Sequence, residues 1–162
     1  MDPHKKHGAL IYVIDAVLAL ILIVGIIFFF EIRVVKSHSG VMGTIEPLSL
    51  IYASTPDEQQ LGLGGRTSLP ADEGMLFIFQ TPGNYGFWMK DMLFPIDIIW
   101  LDDHFAITHI AANVAPDTYP ESFYPGEGSR YVLETNAGYS QKNNLSVGET
   151  LDFVKKSLLN TQ

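Results

Sequence analysis

The sequence predicts a mainly β domain, a sandwich or compact barrel of about seven short strands with one or two short helices, preceded by one N-terminal transmembrane helix. Two observations predict this arrangement. Several runs of about five to ten residues are rich in β-branched and aromatic types and are separated by clusters of Gly, Pro, Asn or Asp. A separate apolar run of about 22 residues, 9–30, is long enough to cross a bilayer as a helix.

The apolar run at 9–30 is interpreted as an uncleaved membrane anchor. It is longer than the apolar part of a cleaved signal peptide, about 7 to 15 residues, and no small-residue cleavage site follows it. Asp15 lies near its cytoplasmic end, where it is tolerated or contacts a partner helix. Two lysines precede the run, and Arg33 and Lys36 follow it. The numbers of positive residues on its two sides are therefore nearly equal. The short N-terminal tail favours a single-pass protein of the cell membrane, with its soluble domain outside the cytoplasm.

The anchor divides the chain into unequal parts. The segment that follows it mixes charged residues with Ser and Gly, which is typical of a tether. The length of 162 residues leaves room for one ordinary domain beyond this tether. The predicted parts are a cytoplasmic tail at 1–8, the transmembrane anchor at 9–30, a linker at 31–44, a β domain at 45–156 and a C-terminal tail at 157–162.

The soluble domain is predicted to begin with a strand and a short helix. Residues 48–53, LSLIYA, alternate weakly and predict a strand. Thr55 and Glu58 have the spacing of a capping box, and Pro56 suits the first helical position. The glycines of 61–65, LGLGG, predict the end of this helix in a left-handed conformation.

The remaining elements are predicted to be strands. The sequence LDDHF at 101–105 predicts a hairpin turn between two of them. Residues 114–129 contain three prolines and two glycines and predict a long loop, which in a small domain is usually functional or mobile. The strands predicted after the helix are MLFIF (75–79), YGFWMKDM (85–92), PIDIIWL (95–101), FAITHIAANV (105–114), RYVLETNA (130–137) and ETLDFV (149–154).

Composition and motifs exclude several classes of function. A net charge of -8 repels phosphate backbones, so nucleic acid is not an expected partner. The absence of cysteine excludes disulfides, thiolate metal sites and cysteine nucleophiles. His104 and His109 would face opposite ways on one strand, and no HExxH or phosphate-loop motif occurs. We therefore expect no metal and no cofactor.

The stretch GFWMKDMLFPIDIIW places charged residues among large apolar ones. On a strand neither face around Asp97 would be plainly solvated, so its carboxylate should be at least partly buried and needs a cation or several donors. In one interpretation Arg66 or Lys90 forms a structural ion pair with Asp97. In the other, a ligand binds a concave patch with an aromatic floor, formed by Arg66, Trp88, Lys90, Asp97 and Glu134. The sequence leaves both open.

Two functions are compatible with this pattern. The first is a membrane-anchored, extracytoplasmic binding or accessory module for a small polar ligand, a glycan, a peptide or an envelope protein, which would also contact membrane lipid through 9–30. The alternative is a hydrolase that uses Asp97 or Glu134 as acid or base, with Lys90 and Arg66 stabilising negative charge. The catalytic residues stay open, because spacing along the chain does not fix the separation of two acids.

Three segments in order resemble the DUF192 family, also called UPF0127. They are a GL-x-x-R segment, then GMLF-x-F, then FWMK-x-x-x-x-P-x-D, and the resemblance covers about residues 46–154. It implies a small, mainly β domain, often behind a signal peptide or membrane anchor, in a family whose activity is not established. Asp91 stands where relatives usually show Asn, and no cysteine precedes RYVLE, so a thiol-dependent role does not carry over. The matching positions are Gly62, Leu63, Arg66, Gly74, Met75, Leu76, Phe77, Phe79, Phe87, Trp88, Met89, Lys90, Pro95, Asp97, Leu133, Glu134 and Gly138.

Overall fold

The computed structural model describes residues 45–160. Most of this region is β-strand, with short helices between and after the strands. The elements, in chain order, are β1 (Ser49–Ala53), α1 (Pro56–Leu61), β2 (Glu73–Gly83), β3 (Phe87–Trp88), β4 (Ile96–Leu101), β5 (Ile107–Val114), a 3-10 turn (Pro116–Thr118), β6 (Ser122–Phe123), β7 (Ser129–Asn136), α2 (Tyr139–Lys142) and α3 (Asp152–Leu159).

Five strands form one mixed sheet in the order β1-β2-β7-β4-β5. β1 is parallel to β2, and the other neighbours are antiparallel. β3 and β6 pair separately as a two-stranded sheet. The mainly β class predicted from the sequence is therefore confirmed. The sandwich or compact barrel is replaced by this mixed sheet, because no pairing within residues 45–160 joins β1 to β5.

The central strands of the sheet are covered on both faces. Every residue of β4 is buried, and one apolar cluster on one face contains Phe77 and Trp100. A second cluster on the other face contains Leu76 and Leu133. A run such as IDIIWL, without polar alternation, is typical of a strand buried on both faces. An acidic residue on β4 or β7 must therefore point into one of two apolar cores.

Helix α1 follows the predicted capping geometry. The Thr55 side chain accepts a hydrogen bond from the Glu58 N–H at 3.3 Å, and the Glu58 carboxylate accepts from the Thr55 N–H at 2.9 Å. Pro56 occupies the first turn. The hydrogen bond from the Thr55 backbone contributes most to lowering the pKa of Glu58. The capping box therefore fixes where this helix begins.

Two predicted strands differ in the structure. Within 85–92 only Phe87–Trp88 pairs as a strand, because a turn follows and Asp91 has a φ of +58°. Strand alternation therefore does not place Lys90. In 149–154 only Thr150 makes a β-bridge, and a helix begins at Asp152. The reason is that the buried residues of this segment are spaced three apart, which suits a helix packed on the core.

The two predicted connections also have defined structures. The hairpin turn at 101–105 is confirmed, since the Asp102 carboxylate accepts from the backbone N–H groups of His104 and Ala106. The predicted long loop at 114–129 contains the 3-10 turn and β6. β6 pairs with β3, so Trp88 lies opposite Ser122. The loop is thereby attached to the segment that carries the family motif.

The predicted membrane anchor at 9–30 and linker at 31–44 lie outside the described residues. From residue 45 to residue 160, no helix has the length and apolar composition needed to cross a membrane. The last helix, α3, continues through Leu159 and so extends into the segment predicted as a C-terminal tail.

Candidate functional site

An open cavity of 440 Å³ lies between helix α1 and the sheet. This volume is in the range of about 300 to 1,000 Å³ that is usual for small-molecule sites. Helix α1 and the glycine-rich segment after it line one side, and residues of β2, β3 and β7 line the other. We call it the aromatic cavity, because its lining includes Phe77, Phe79, Tyr85, Phe87 and Trp88.

The aromatic rings of this cavity hold one another in place. Phe79 and Tyr85 stack with their centroids 3.6 Å apart, and Phe77 meets Phe87 edge to face at 4.8 Å. The Tyr85 hydroxyl donates a hydrogen bond to the Thr81 carbonyl at 2.7 Å. Such packing restricts ring rotation. The cavity therefore presents a preformed apolar surface.

Glu134 is the acidic residue of this lining. It lies on β7 opposite Met75 and Ile98, and its side chain is 4% exposed. Its Oε2 atom is buried and has no hydrogen-bond partner. Burial without a counter-charge raises the pKa of Glu134 to about 8. At pH 7 this carboxyl group is therefore protonated in most molecules.

Gly62 allows α1 to approach Glu134 closely. Its φ is +52°, and an added Cβ would lie 3.3 Å from Cζ of Phe77 and 3.8 Å from Oε2 of Glu134. A side chain here would press against the Phe77 ring and contact the carboxyl group. The glycine of the GL-x-x-R segment therefore lets the end of α1 pack closely against Phe77 and the carboxyl group.

We predict that Gly62→Ala lowers the free energy of unfolding by about 1 to 3 kcal/mol, and by more than Gly65→Ala, because its backbone conformation is strained for alanine and the new Cβ would crowd the Phe77 ring. Denaturant unfolding would measure the loss. Gly65→Ala is the matched control, since Gly65 also has a positive φ, +75°, but an added Cβ there meets nothing within 4 Å. Equal losses in the two variants would contradict a role for the contacts with Phe77 and Glu134.

Asp97 is fully buried, as its surroundings in the sequence predicted, but its partners are not cations. Oδ1 accepts from the backbone N–H groups of Asn113 at 2.8 Å and Gly138 at 3.1 Å. Oδ2 accepts from the backbone N–H of Ser140 at 2.8 Å and from its hydroxyl. The ion pair predicted with Arg66 or Lys90 is wrong. Four donors from β5 and the start of α2 compensate this carboxylate instead.

The two candidate acids lie on opposite faces of the sheet. Asp97 is paired with Thr135, whereas Glu134 is paired with Ile98, and successive residues of a strand point to opposite faces. A hydrolase that uses Asp97 and Glu134 together is therefore not possible. Of the five residues predicted to converge, Trp88, Lys90 and Glu134 line the aromatic cavity. Asp97 does not, and Arg66 is exposed outside the lining.

Sequence reasoning missed several lining residues. Phe77 and Phe79 are two apart on β2, so strand alternation would have placed both on the face of Glu134. Gln59 comes from α1, and its amide donates to the Ile78 carbonyl at 2.9 Å. No sequence signal connects α1 with β7 across the cavity, because their approach depends on the tertiary fold.

Fold and cavity together define a small, mainly β domain built around a ligand-sized aromatic cavity with a buried acid. The chain matches the family model DUF192, described as an uncharacterized ACR, over residues 34–153, and it belongs to this family.

Two crystal structures are similar. A candidate transcription regulator from Sinorhizobium meliloti 1021 shares 31% identity, with a TM-score of 0.60 over 62% of this chain and 78% of that one. A protein of unknown function from Novosphingobium aromaticivorans DSM 12444 shares 33% identity, with a TM-score of 0.60 over 64% of this chain and 73% of that one. The search of curated proteins found no match.

Proposed function

We propose that the domain is a binding module for a small ligand that enters the aromatic cavity and hydrogen-bonds to Glu134. One observation carries this proposal: Glu134 lines a cavity of 440 Å³, and its carboxyl group is buried with Oε2 lacking any hydrogen-bond partner. Leaving a buried polar atom unpaired costs about 1 to 3 kcal/mol. A ligand that brings a donor to this carboxyl group would offset part of this cost, which favours binding.

The entrance of the cavity also favours ligand binding. Trp88 is 47% exposed, and its ring meets Tyr119 edge to face at 6.1 Å. Lys90 and Leu61 are exposed beside it. Large exposed apolar residues around a concave site are typical of recognition surfaces. The cavity thus offers a ligand an aromatic interior and a charged rim, which suits a small molecule, a glycan or a peptide side chain.

The proposed location follows from the sequence alone. Residues 9–30 would anchor the domain in the cell membrane and place it outside the cytoplasm. Membrane lipid and an envelope protein remain proposed partners. The description of the Sinorhizobium protein as a regulator of transcription is not carried over, because a net charge of -8 disfavours contact with nucleic acid.

A hydrolase is the second candidate, because a carboxyl group with a pKa near 8 holds its proton at neutral pH and can donate it to a leaving group. In this form Glu134 alone would be the acid, and Lys90 could stabilise negative charge at the entrance. Asp97 and Arg66 lie outside the cavity and take no part. If the unaltered chain hydrolyses a substrate and Glu134→Gln abolishes this hydrolysis, the hydrolase is supported. Ligand binding without hydrolysis supports the binding module.

Tryptophan fluorescence tests the binding module directly. The chain has two tryptophans, and Trp100 is fully buried while Trp88 lines the cavity. We expect at least one probe among benzyl alcohol, benzamide, methyl glucoside and butylamine to quench the emission of the full chain. The quenching should be lost in Trp88→Phe, a variant that keeps an aromatic ring, and weakened in Lys90→Ala. No response to any probe would overturn the proposal.

A further inference from the structure

We propose that the aromatic cavity recognises a primary ammonium group, which donates an N–H to the carboxyl group of Glu134 while the aromatic residues of the lining surround its charge. This inference rests on the proposed function and specifies its ligand class. The ammonium could belong to a free amine or to the lysine side chain of a peptide.

A hydrogen-bond donor for the carboxyl group of Glu134 must come from the ligand. Oε2 of Glu134 is buried without a partner. The nearby amide of Gln59 already donates to the carbonyl groups of Ile78 and Ala53. Gly62, which lies beside Oε2, has its N–H bonded to the Glu58 carbonyl. Neither Gln59 nor Gly62 therefore offers a free donor to Glu134.

The charges of the lining favour a cation as the ligand. Among the described residues of the lining, Glu134 is the acid and Lys90 is the cation, and the Lys90 side chain is exposed at the entrance. The interior therefore holds a group that can become an anion, and no buried cation accompanies it. A buried carboxylate is stable only with a cation or several donors, and an ammonium group supplies both.

The aromatic residues of the lining also favour a cation. Electron-rich ring faces attract cations, by about 2 kcal/mol or more where water is excluded. Five aromatic side chains line this cavity. A neutral alcohol or amide would gain the hydrogen bond to Glu134 but not this attraction. The acidic balance of the chain, -8, also attracts cations toward the domain.

Binding of an ammonium group releases one proton. Below about pH 8 the Glu134 carboxyl is protonated, so the incoming ammonium keeps its own protons and the carboxyl proton leaves to solvent. The groups that face Glu134 from its neighbouring strands, Met75 and Ile98, do not titrate. Tyr85 and Lys90 are the other titratable groups of the lining. Affinity for an amine should therefore rise with pH up to about 8, by up to about tenfold per unit.

Butylamine and butanol form a matched pair of probes, because they have the same alkyl chain and differ in charge. We expect the full chain to bind butylamine at least about tenfold more tightly than butanol near pH 8, and this preference to fall as the pH is lowered. Nuclear magnetic resonance titration would measure both affinities. Glu134→Gln should remove the preference, and the comparison of the two probes on the unaltered chain does not depend on that variant.

The outcomes separate the two proposals. Binding of benzamide or butanol without a preference for butylamine would overturn the ammonium assignment and leave the binding module intact. If none of these probes binds, and neither benzyl alcohol nor methyl glucoside binds, both proposals are overturned. If the preference holds, a blocked Gly-Lys-Gly peptide that binds more tightly than butylamine identifies a lysine side chain as the source of the ammonium. Weaker binding of the peptide identifies a free amine.

Discussion

Asp97→Asn is expected to lower the free energy of unfolding by about 3 kcal/mol. The carboxylate of Asp97 accepts four hydrogen bonds in a fully buried site, two on each oxygen. An asparagine has one oxygen and one NH2 group, so whichever way it turns, its NH2 meets two donors. Either the N–H groups of Asn113 and Gly138 or both donors of Ser140 lose their acceptor. Denaturant unfolding would measure the loss.

Two further variants calibrate this prediction. Ser140→Ala removes one of the four donors and should cost about 1 to 2 kcal/mol. Asp103→Asn makes the same chemical change at an exposed position and should have little effect. If Asp97→Asn were as stable as Asp103→Asn, the structural role assigned to Asp97 would be wrong, and a catalytic role would have to be considered again.

Glu134→Gln is expected to change how stability depends on pH. Below about pH 4.5 the carboxyl of Glu134 is protonated in both states and has no effect. Between about 4.5 and about 8 the unfolded chain loses this proton while the folded domain keeps it. The free energy of unfolding then falls by about 1.4 kcal/mol per pH unit relative to the variant. Glutamine does not titrate, so the variant should lack this slope.

At each pH, the free energy of unfolding of Glu134→Gln is subtracted from that of the unaltered chain. The contributions of the other titrating groups then cancel. An offset caused by the new amide shifts the whole curve but does not change its slope. Glu121→Gln, at an exposed position, controls for the loss of one carboxylate. A difference between unaltered chain and Glu134→Gln that stays constant with pH would show that Glu134 is not held protonated by burial.

Local signals in the sequence predicted local structure well. The capping box of Thr55 and Glu58 and the turn at Asp102 are set by side chains within a few residues of their partners. The burial of Asp97 could also be predicted, because no face of its strand is polar. Its partners could not, because two of them, Gly138 and Ser140, are backbone donors more than forty residues away.

Which residues line the candidate site could not be predicted without the register of the strands. Glu134 and Asp97 resemble each other in sequence surroundings, yet the pairing of Ile98 with Glu134 places the two acids on opposite faces. Lys90 reaches the cavity from a turn rather than from the predicted strand. The positions that match the family include all three residues, so the resemblance alone does not distinguish a residue that supports the fold from one that lines the cavity.

The protonation state of Glu134 tests the central claim most directly, because the claim is that this carboxyl group is buried and unpaired in a cavity that a ligand can enter. Titration of glutamate carboxyl carbons by nuclear magnetic resonance would measure it in the full chain, with Glu134→Gln assigning the signal. We predict a midpoint at about pH 8. A midpoint near the ordinary 4.5 would contradict the account.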